Sequence, residues 1–139
     1  MSADRQHTFT VPTRGRGTIE ITRQVTDFVA TTDVRSGLVN VFTHHTSCSL
    51  LLTENADPDV RADLERFFAR LVPDGDTLFE HERGAGRHAG ARACHPDRGQ
   101  SEHSGEGRAA GIGTWQGIYL WEHRSRPHQR MVTVTVLGV

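Results

Sequence analysis

The sequence contains no lysine, so all sixteen of its cationic side chains are arginine. This absence excludes a Schiff-base lysine and a Walker-type phosphate loop, because both depend on a lysine ammonium group. A basic excess is also absent, since the formal net charge is -1. Binding to the phosphate backbone of nucleic acids normally needs such an excess. We therefore expect no nucleic-acid partner.

Cysteines and long apolar runs are equally scarce. Cys48 and Cys94 are the two cysteines of the sequence. They are too few for a disulfide framework and lack the spacing of a zinc ribbon, so we expect each to be a free thiol. No apolar run approaches the roughly 20 residues of a membrane helix, and residues 1–10 lack the apolar core of a signal peptide. These absences predict a cytoplasmic protein without a membrane partner.

The length of 139 residues favours a single domain. The spacing of apolar residues predicts strands near 9–11 and 19–21, a helix over 22–32, strands over 38–42 and 48–53, a long helix from 57–58, and strands over 115–122 and 131–137. We expect residues 14–17 to join the first two strands as a hairpin, and the last two strands to pair as a terminal hairpin. Clustered strands with two main helices between them are typical of a layered α+β fold.

The long helix has the clearest signals of a helix start and end. Asp57 can accept hydrogen bonds from the free amides of the first turn, and Pro58 suits that turn. Pro73 with Gly75 ends the helix. Its predicted apolar face consists of Val60, Leu64, Phe67, Phe68 and Leu71.

Residues 80–111 contain no Leu, Ile, Val, Met, Phe, Tyr or Trp, although both flanks are ordinary globular sequence. One interpretation is a disordered insertion, because this composition buries too little apolar surface to offset its ordering entropy. The other is a pair of compensating frame changes over about residues 84–112. One permitted set of codons for this stretch, read one base later, encodes a Ser-Leu-Ser-Ile-Pro-Val segment upstream of Gly113. We hypothesise that the anomalous segment has this second origin.

Two sequence blocks outside that segment together carry a specific resemblance. The first block comprises Val41-Phe42-Thr43-His44-His45-Thr46-Ser47-Cys48-Ser49-Leu50 and Glu54-Asn55-Ala56-Asp57-Pro58, and the second is Gly113-Thr114-Trp115-Gln116-Gly117-Ile118. Through these blocks the chain resembles the YjbQ family of secondary thiamine-phosphate synthase enzymes, over about residues 5–82 and 113–139. The family's Ser-Leu-x-Ile-Pro-Val strand and Ala-His pair are missing in frame, and the shifted reading restores both.

The resemblance implies a fold, an assembly and a metal. It implies one α+β domain over residues 1–139 with a largely antiparallel sheet, assembled as a homotrimer with clefts between subunits. It also implies a histidine cluster that holds a divalent metal, zinc or magnesium, to which His45 and His81 correspond. The third histidine would fall near Ala91 or Arg92, where this chain has none. The implied activity joins an aminopyrimidine methyl pyrophosphate to a thiazole phosphate.

The residues of the first block allow both site and structural interpretations. In an uninterrupted strand His44 and His45 point to opposite faces, so we expect one of them to be structural. Thr46 and Ser47 can donate hydroxyl hydrogens to an anion, or can simply favour a strand.

Residues farther along the chain leave the same choice open. Glu54 and Asn55 can cap the long helix or belong to the site, and Asp63 is either a solvated helix residue or a functional one. Trp115 can stack on a pyrimidine ring or lie in the core, and Gln116 is the better polar candidate.

The last strand adds one candidate, and the loop before it adds none. Arg130 can bind a phosphate through two hydrogen bonds or pair with a carboxylate. His123 and His128 lie in a polar loop and are predicted to be solvent-exposed.

These residues support two main functional hypotheses, each with a small phosphorylated or anionic metabolite as partner. The first is a transferase of the thiamine-phosphate-synthase type, in which cations neutralise the departing pyrophosphate. Its catalytic candidates are His45, Thr46, Ser47, Glu54, Asn55, Asp63 and Gln116, and its substrate-binding candidates are Trp115 and Arg130. The alternative is a trimer that binds a metal or anion without turnover. A metal-dependent hydrolase is a third possibility.

Overall fold

The computed structural model describes residues 5–73, 100–106 and 109–139. Within these ranges the chain forms eight strands and two helices. In chain order they are β1 (Gln6–Pro12), β2 (Gly17–Glu20), α1 (Thr22–Thr31), β3 (Ser36–Thr43), β4 (Cys48–Glu54), α2 (Pro58–Leu71), β5 (Gln100–Glu106), β6 (Ala109–Ala110), β7 (Gln116–Glu122) and β8 (Gln129–Gly138). Neither described helix has the length and hydropathy that crossing a membrane requires.

Both helices begin where the sequence predicts. In α1 the buried residues Val25 and Val29 lie four positions apart, so they share the face that packs into the core. At the start of α2, Asp57 Oδ1 accepts a hydrogen bond from the Asp59 backbone N–H at 2.9 Å, which satisfies one of the free amides. The predicted apolar face of α2 is only partly covered, because Phe67 and Leu71 are 59% and 62% exposed.

The strands form two antiparallel sheets, which confirms the layered α+β class. The five-stranded sheet has the order β1-β8-β3-β5-β6, and the three-stranded sheet has the order β2-β7-β4. The core contains side chains from α1 and from both sheets: Val11, Ile21, Val25, Val29, Val34, Val39, Val41, Cys48, Ile118, Leu120, Val132, Val134 and Val136.

Both predicted hairpins are wrong. β1 pairs with β8 and β2 pairs with β7, so residues 13–16 connect the two sheets instead of turning within one. β7 and β8 do not pair either, because they lie in different sheets. β7 lies between β2 and β4, whereas β8 lies between β1 and β3. Strands that are adjacent in sequence usually pair. Here β1 and β2 lie in different sheets, and so do β7 and β8.

Strand β7 is buried along almost its whole length. Only Gln116 is exposed. On one side of the strand, the side chains of Ile118 and Leu120 lie in the core. The other side is covered by α2, whose Phe68 ring meets the Trp121 ring edge-to-face at 4.7 Å. A polar residue at the end of such a strand is therefore buried as well.

Most of the anomalous segment lies outside the described residues, namely 84–99, 107 and 108. Its described part includes β5, which pairs antiparallel with β3. In this register Val41 lies opposite Ser101 and Val39 lies opposite His103. β5 thus occupies a position next to a strand whose alternate residues are in the core.

Candidate functional site

A buried ion pair lies at the end of β7. Glu122 is fully buried, and the Arg130 side chain of β8 is 5% exposed. Arg130 Nη2 donates to Glu122 Oε2 at 2.6 Å, and Arg130 Nε donates to Glu122 Oε1 at 3.0 Å. This two-point geometry connects β7 of the three-stranded sheet to β8 of the five-stranded sheet.

Three further groups surround the Glu122 carboxylate. The Thr13 hydroxyl donates to Oε1 at 2.7 Å, His128 Nδ1 lies 3.3 Å from the same oxygen, and the Arg124 backbone N–H donates to Oε2 at 3.5 Å. Burial alone would raise the pKa of Glu122, but hydrogen bonds from Arg130 and Thr13 and the charge of Arg130 outweigh it. The pKa of Glu122 therefore lies below its ordinary value, and the side chain is a carboxylate at neutral pH.

Arg130 also holds the turn that links β3 to β4. Its Nη2 donates to Ser47 Oγ at 3.0 Å and to the Ser47 carbonyl oxygen at 3.4 Å. In the same turn, His45 Nε2 accepts a hydrogen bond from the Met131 backbone N–H at 2.9 Å. His44 Nε2 lies 2.6 Å from the Thr133 hydroxyl. Both histidines thus contact β8, and neither lies within a strand.

The hydrogen bond to Met131 determines the state of His45. A ring nitrogen that accepts a hydrogen bond carries no proton, so the proton of the neutral ring is on Nδ1. Partial burial, the charge of Arg130 and the neighbouring His44 lower the pKa of His45. At neutral pH the ring is therefore uncharged, with Nδ1 as a donor.

A second buried pair lies beside the turn. Ser49 Oγ and His123 Nε2 are 2.7 Å apart, and these residues are 5% and 4% exposed. The prediction that His123 is solvent-exposed is therefore wrong, because His123 directly follows the buried strand β7 and its ring packs beside Trp121 at 5.0 Å. The side chain of His128, by contrast, is 37% exposed.

These groups form the part of the molecule that we call the positive end, residues 13–17, 44–49 and 122–130. Its segments are in contact, since Arg16 Nη2 donates to the His123 carbonyl oxygen and the His123 backbone N–H donates to the Ser47 carbonyl oxygen. Glu122 is the single acidic residue of the three segments, against five cations: Arg14, Arg16, Arg124, Arg126 and Arg130. The three segments thus carry four more arginines than carboxylates, in a chain of net charge -1.

Four other predicted site residues lie at the opposite end of the three-stranded sheet. Glu54 faces Gln116 across β4 and β7, while Cys48 faces Glu122. Glu54 accepts hydrogen bonds from the Ala56 and Asp57 backbone N–H groups, both at 2.9 Å, so it stabilises the approach to α2. Asn55 Nδ2 donates to the Thr114 and Gln116 carbonyl oxygens.

Trp115 lies immediately before β7 and is 68% exposed. Gln116 Oε1 accepts a hydrogen bond from the Gly113 backbone N–H at 2.9 Å. Asp63 is an exposed helix residue that pairs with Arg66. Six residue rises along β4 amount to about 20 Å, so one small ligand cannot contact both ends within one chain.

The described residues alone do not form the divalent metal site that the resemblance implies. No three His, Cys, Asp or Glu side chains of the described ranges lie close enough together to hold a metal. The only ring lone pair of neutral His45 already accepts the Met131 N–H. His81 and positions 91 and 92 lie outside the described residues.

The sequence predicts His45, Ser47 and Arg130 as site candidates. It does not predict the contacts of Glu122 and Thr13 or the burial of His123. Thr13 and Glu122 are 109 positions apart in the sequence, so no local pattern connects them. The sequence does contain a signal for the burial of Glu122 and His123, because both directly follow the apolar run Ile118-Tyr119-Leu120-Trp121.

Comparisons with known proteins agree on one family. The family model described as UPF0047 protein YjbQ-like matches residues 7–139. The UPF0047 protein sll1880 of Synechocystis is 42% identical over 138 residues, 96% of this chain and 93% of that protein. The UPF0047 protein YjbQ of Escherichia coli O157:H7 is 38% identical over 141 residues, covering 96% of this chain and 97% of its own length.

Solved structures extend the agreement to the fold. An uncharacterized conserved protein of the YjbQ/UPF0047 family from Clostridium acetobutylicum has a TM-score of 0.84 at 29% identity, covering 94% of this chain and 99% of that one. A conserved hypothetical protein from Thermus thermophilus has a TM-score of 0.81 at 30% identity, with the same coverage. The chain therefore belongs to the UPF0047 protein YjbQ-like family.

Proposed function

We propose that the positive end binds a small phosphorylated metabolite, and that the chain uses it in a transferase reaction of the thiamine-phosphate-synthase type. The observation that carries this proposal is that the positive end contains five arginines and one carboxylate. That carboxylate, Glu122, is buried and already paired with Arg130. The positive end therefore has a net positive charge, which attracts a multiply charged anion.

The groups that would contact the anion are those with exposed side chains. Arg14, Arg126 and Thr46 are exposed, and their guanidinium and hydroxyl groups suit phosphate oxygens. His45 can add a hydrogen bond from Nδ1. Arg130 is held by Glu122, so we assign it to positioning the turn through Ser47 instead of to the direct phosphate contact that the sequence predicts.

This charge distribution suits a reaction in which a pyrophosphate departs. Negative charge increases on the leaving group in the transition state, and neighbouring guanidinium groups stabilise that charge. Neither Glu122 nor His45 is placed as a dedicated base, since Glu122 is paired with Arg130 and the one lone pair of the neutral His45 ring accepts the Met131 N–H. A dissociative displacement does not need one. Because His81 and positions 91 and 92 lie outside the described residues, no step is assigned to a metal.

The residues at the opposite end of the three-stranded sheet would require a second copy. Glu54, Asn55 and Gln116 lie about 20 Å along β4 from the positive end, and the homotrimer that the resemblance implies would be one way to bring a neighbour's residues near it. Light scattering of the purified protein tests this part of the proposal. A monomer would remove these three residues from any site that includes the positive end.

Anion binding is tested with inorganic pyrophosphate by isothermal titration calorimetry. We expect binding that weakens as salt is added, and a loss of about fivefold in Arg126→Ala, the effect of one exposed ionic contact. Arg23→Ala is the matched control, because the Arg23 side chain on α1 is 91% exposed. Equal affinities of the two variants would contradict the proposed site.

Transfer is tested with the two thiamine precursors, by measuring thiamine phosphate and released pyrophosphate together. We expect both products in equal amounts, and slower formation in His45→Ala. Equal rates would remove His45 from the mechanism. Pyrophosphate without thiamine phosphate would favour a hydrolase, and binding without either product would favour the alternative of a non-catalytic anion-binding protein.

A further inference from the structure

A groove between β1 and α1 lies outside the positive end. Its volume is about 360 Å³, and it is lined by His7, Phe9, Gln24, Asp27, Phe28 and Thr31. The four helix residues have the spacing of a single helical face. β1 is an edge strand of the five-stranded sheet. Among the described strands none closes the groove on that side.

Three rings form a stacked series along the groove. The His7 and Phe28 ring centroids are 5.3 Å apart at 28°, and the His7 and Phe9 centroids are 6.4 Å apart at 22°. Phe9 and Phe28 are half-buried and pack against the core. Their positions are therefore fixed by the fold, so a planar ligand would meet a preformed aromatic surface.

The charge of the groove differs from that of the positive end. Its one charged lining residue is Asp27, whose side chain is 74% exposed. Asp27 pairs with Arg23, whose Nε lies 4.0 Å from Asp27 Oδ2 and whose side chain is 91% exposed. Such a surface pair is weak. The Thr31 hydroxyl already donates to the Phe28 carbonyl oxygen, which leaves it as an acceptor.

We propose that this groove binds a small planar aromatic cation, a ring that carries an amidinium or ammonium group. Stacked rings attract a flat cation through dispersion and through their negative faces, and the Asp27 carboxylate and the Thr31 hydroxyl accept hydrogen bonds from its N–H groups. The volume is within the range of about 300 to 1,000 Å³ of small-molecule sites. This site is independent of the proposed function, whose ligand is an anion.

Benzamidine is a suitable probe, and benzamide is its neutral counterpart of nearly the same shape. Titration of the ¹⁵N-labelled full chain should shift amide signals of β1 and α1, with benzamidine binding more tightly than benzamide. Asp27→Asn should weaken benzamidine binding about threefold to fivefold, the size expected for one surface ion pair. Asp63→Asn is the matched control, because Asp63 pairs with Arg66 on α2 and lies outside the groove.

Circular dichroism of both variants would verify that they fold, since each change is isosteric and on the surface. The proposal is overturned by shifts that do not include β1 and α1, by equal binding of benzamide and benzamidine, or by an Asp27→Asn affinity equal to that of Asp63→Asn.

Discussion

Arg130 of β8 and Glu122 of β7 form a two-point ion pair in the interior, with Nη2 2.6 Å from Oε2. The two strands belong to different sheets, so this contact joins the sheets at the positive end. The same guanidinium holds Ser47, and through it the turn that contains His45. Stability and the geometry of the candidate site therefore depend on one pair of side chains.

Removing one partner of this pair should destabilise the fold strongly. Arg130→Met leaves the Glu122 carboxylate buried without its counter-ion, a change that typically costs roughly 3 to 5 kcal/mol. The double variant Glu122→Gln with Arg130→Met removes both charges, and we expect it to recover part of the loss. Urea denaturation measures both free energies of unfolding.

The matched control for that experiment is Asp63→Asn, which breaks an exposed pair on α2 and should cost at most about 1 kcal/mol. If Arg130→Met costs no more than this control, the buried pair does not hold the two sheets together.

The sequence predicts the elements of this fold better than their pairing. The helical spacing of Val25 and Val29 and the cap at Asp57 are local signals, and α1 and α2 begin accordingly. Strand partners are not local, because β1 and β8 pair through residues more than 100 positions apart, such as Phe9 and Val132.

The same limit applies to the prediction of the site. His45 is visible as part of a motif. The burial of Glu122 depends instead on distant residues, since Glu122 lies on the same side of β7 as Ile118 and Leu120 and contacts Thr13 and Arg130.

The stability of the protein should decrease as the pH falls below about 6.5. Burial, Arg130 and His44 lower the pKa of His45 from the ordinary value of 6.5. Between the lowered folded pKa and 6.5 the unfolded chain therefore binds more protons at this residue than the folded chain does. The contribution of His45 is complete above 6.5 and is lost as the pH falls toward the folded value.

His45→Gln tests this origin, because glutamine keeps an oxygen that can accept the Met131 N–H but does not titrate. We expect the free energy of unfolding to decrease less between pH 8 and pH 5.5 in this variant than in the unmodified chain. Equal decreases would show that His45 does not contribute.

Cys48 should be unreactive in the folded protein. It is 2% exposed, and burial raises the pKa of its thiol despite the hydrogen bond with the Thr43 hydroxyl at 3.1 Å and the charge of Arg130. Both the thiolate fraction and the access of a reagent are therefore low. In a Cys94→Ser background, we expect Ellman's reagent to modify Cys48 only as fast as the structure opens.

An added Ser125→Cys substitution supplies an exposed reference thiol in the same molecule, because Ser125 is exposed. Modification of two thiols at the same fast rate would mean that Cys48 is accessible after all.

The register of β5 bears on the origin of residues 84–112. β5 has the sequence QSEHSGE, without an aliphatic or aromatic residue, although it lies beside the core strand β3. Counted back from Gly113, the shifted reading places its Ser-Leu-Ser-Ile-Pro-Val segment at positions 100–105. Leucine would then lie opposite Val41 and isoleucine opposite Val39, the two β3 residues that are in the core. Directly opposite residues share a face of the sheet, so the shifted segment would bury both apolar side chains.

We therefore expect the protein made from the native gene to contain the shifted segment. Tryptic mapping by mass spectrometry decides the question, because the printed sequence gives a peptide of residues 99–108, between Arg98 and Arg108. The frame hypothesis predicts that this peptide is absent and that a peptide with Leu-Ser-Ile-Pro replaces it. The flanking peptide of residues 109–124 tests the same change, since it should begin differently but still contain Gly113 to Arg124. Recovery of the 99–108 peptide would end the hypothesis, and β5 would then be a polar strand that adds no apolar side chain to the core.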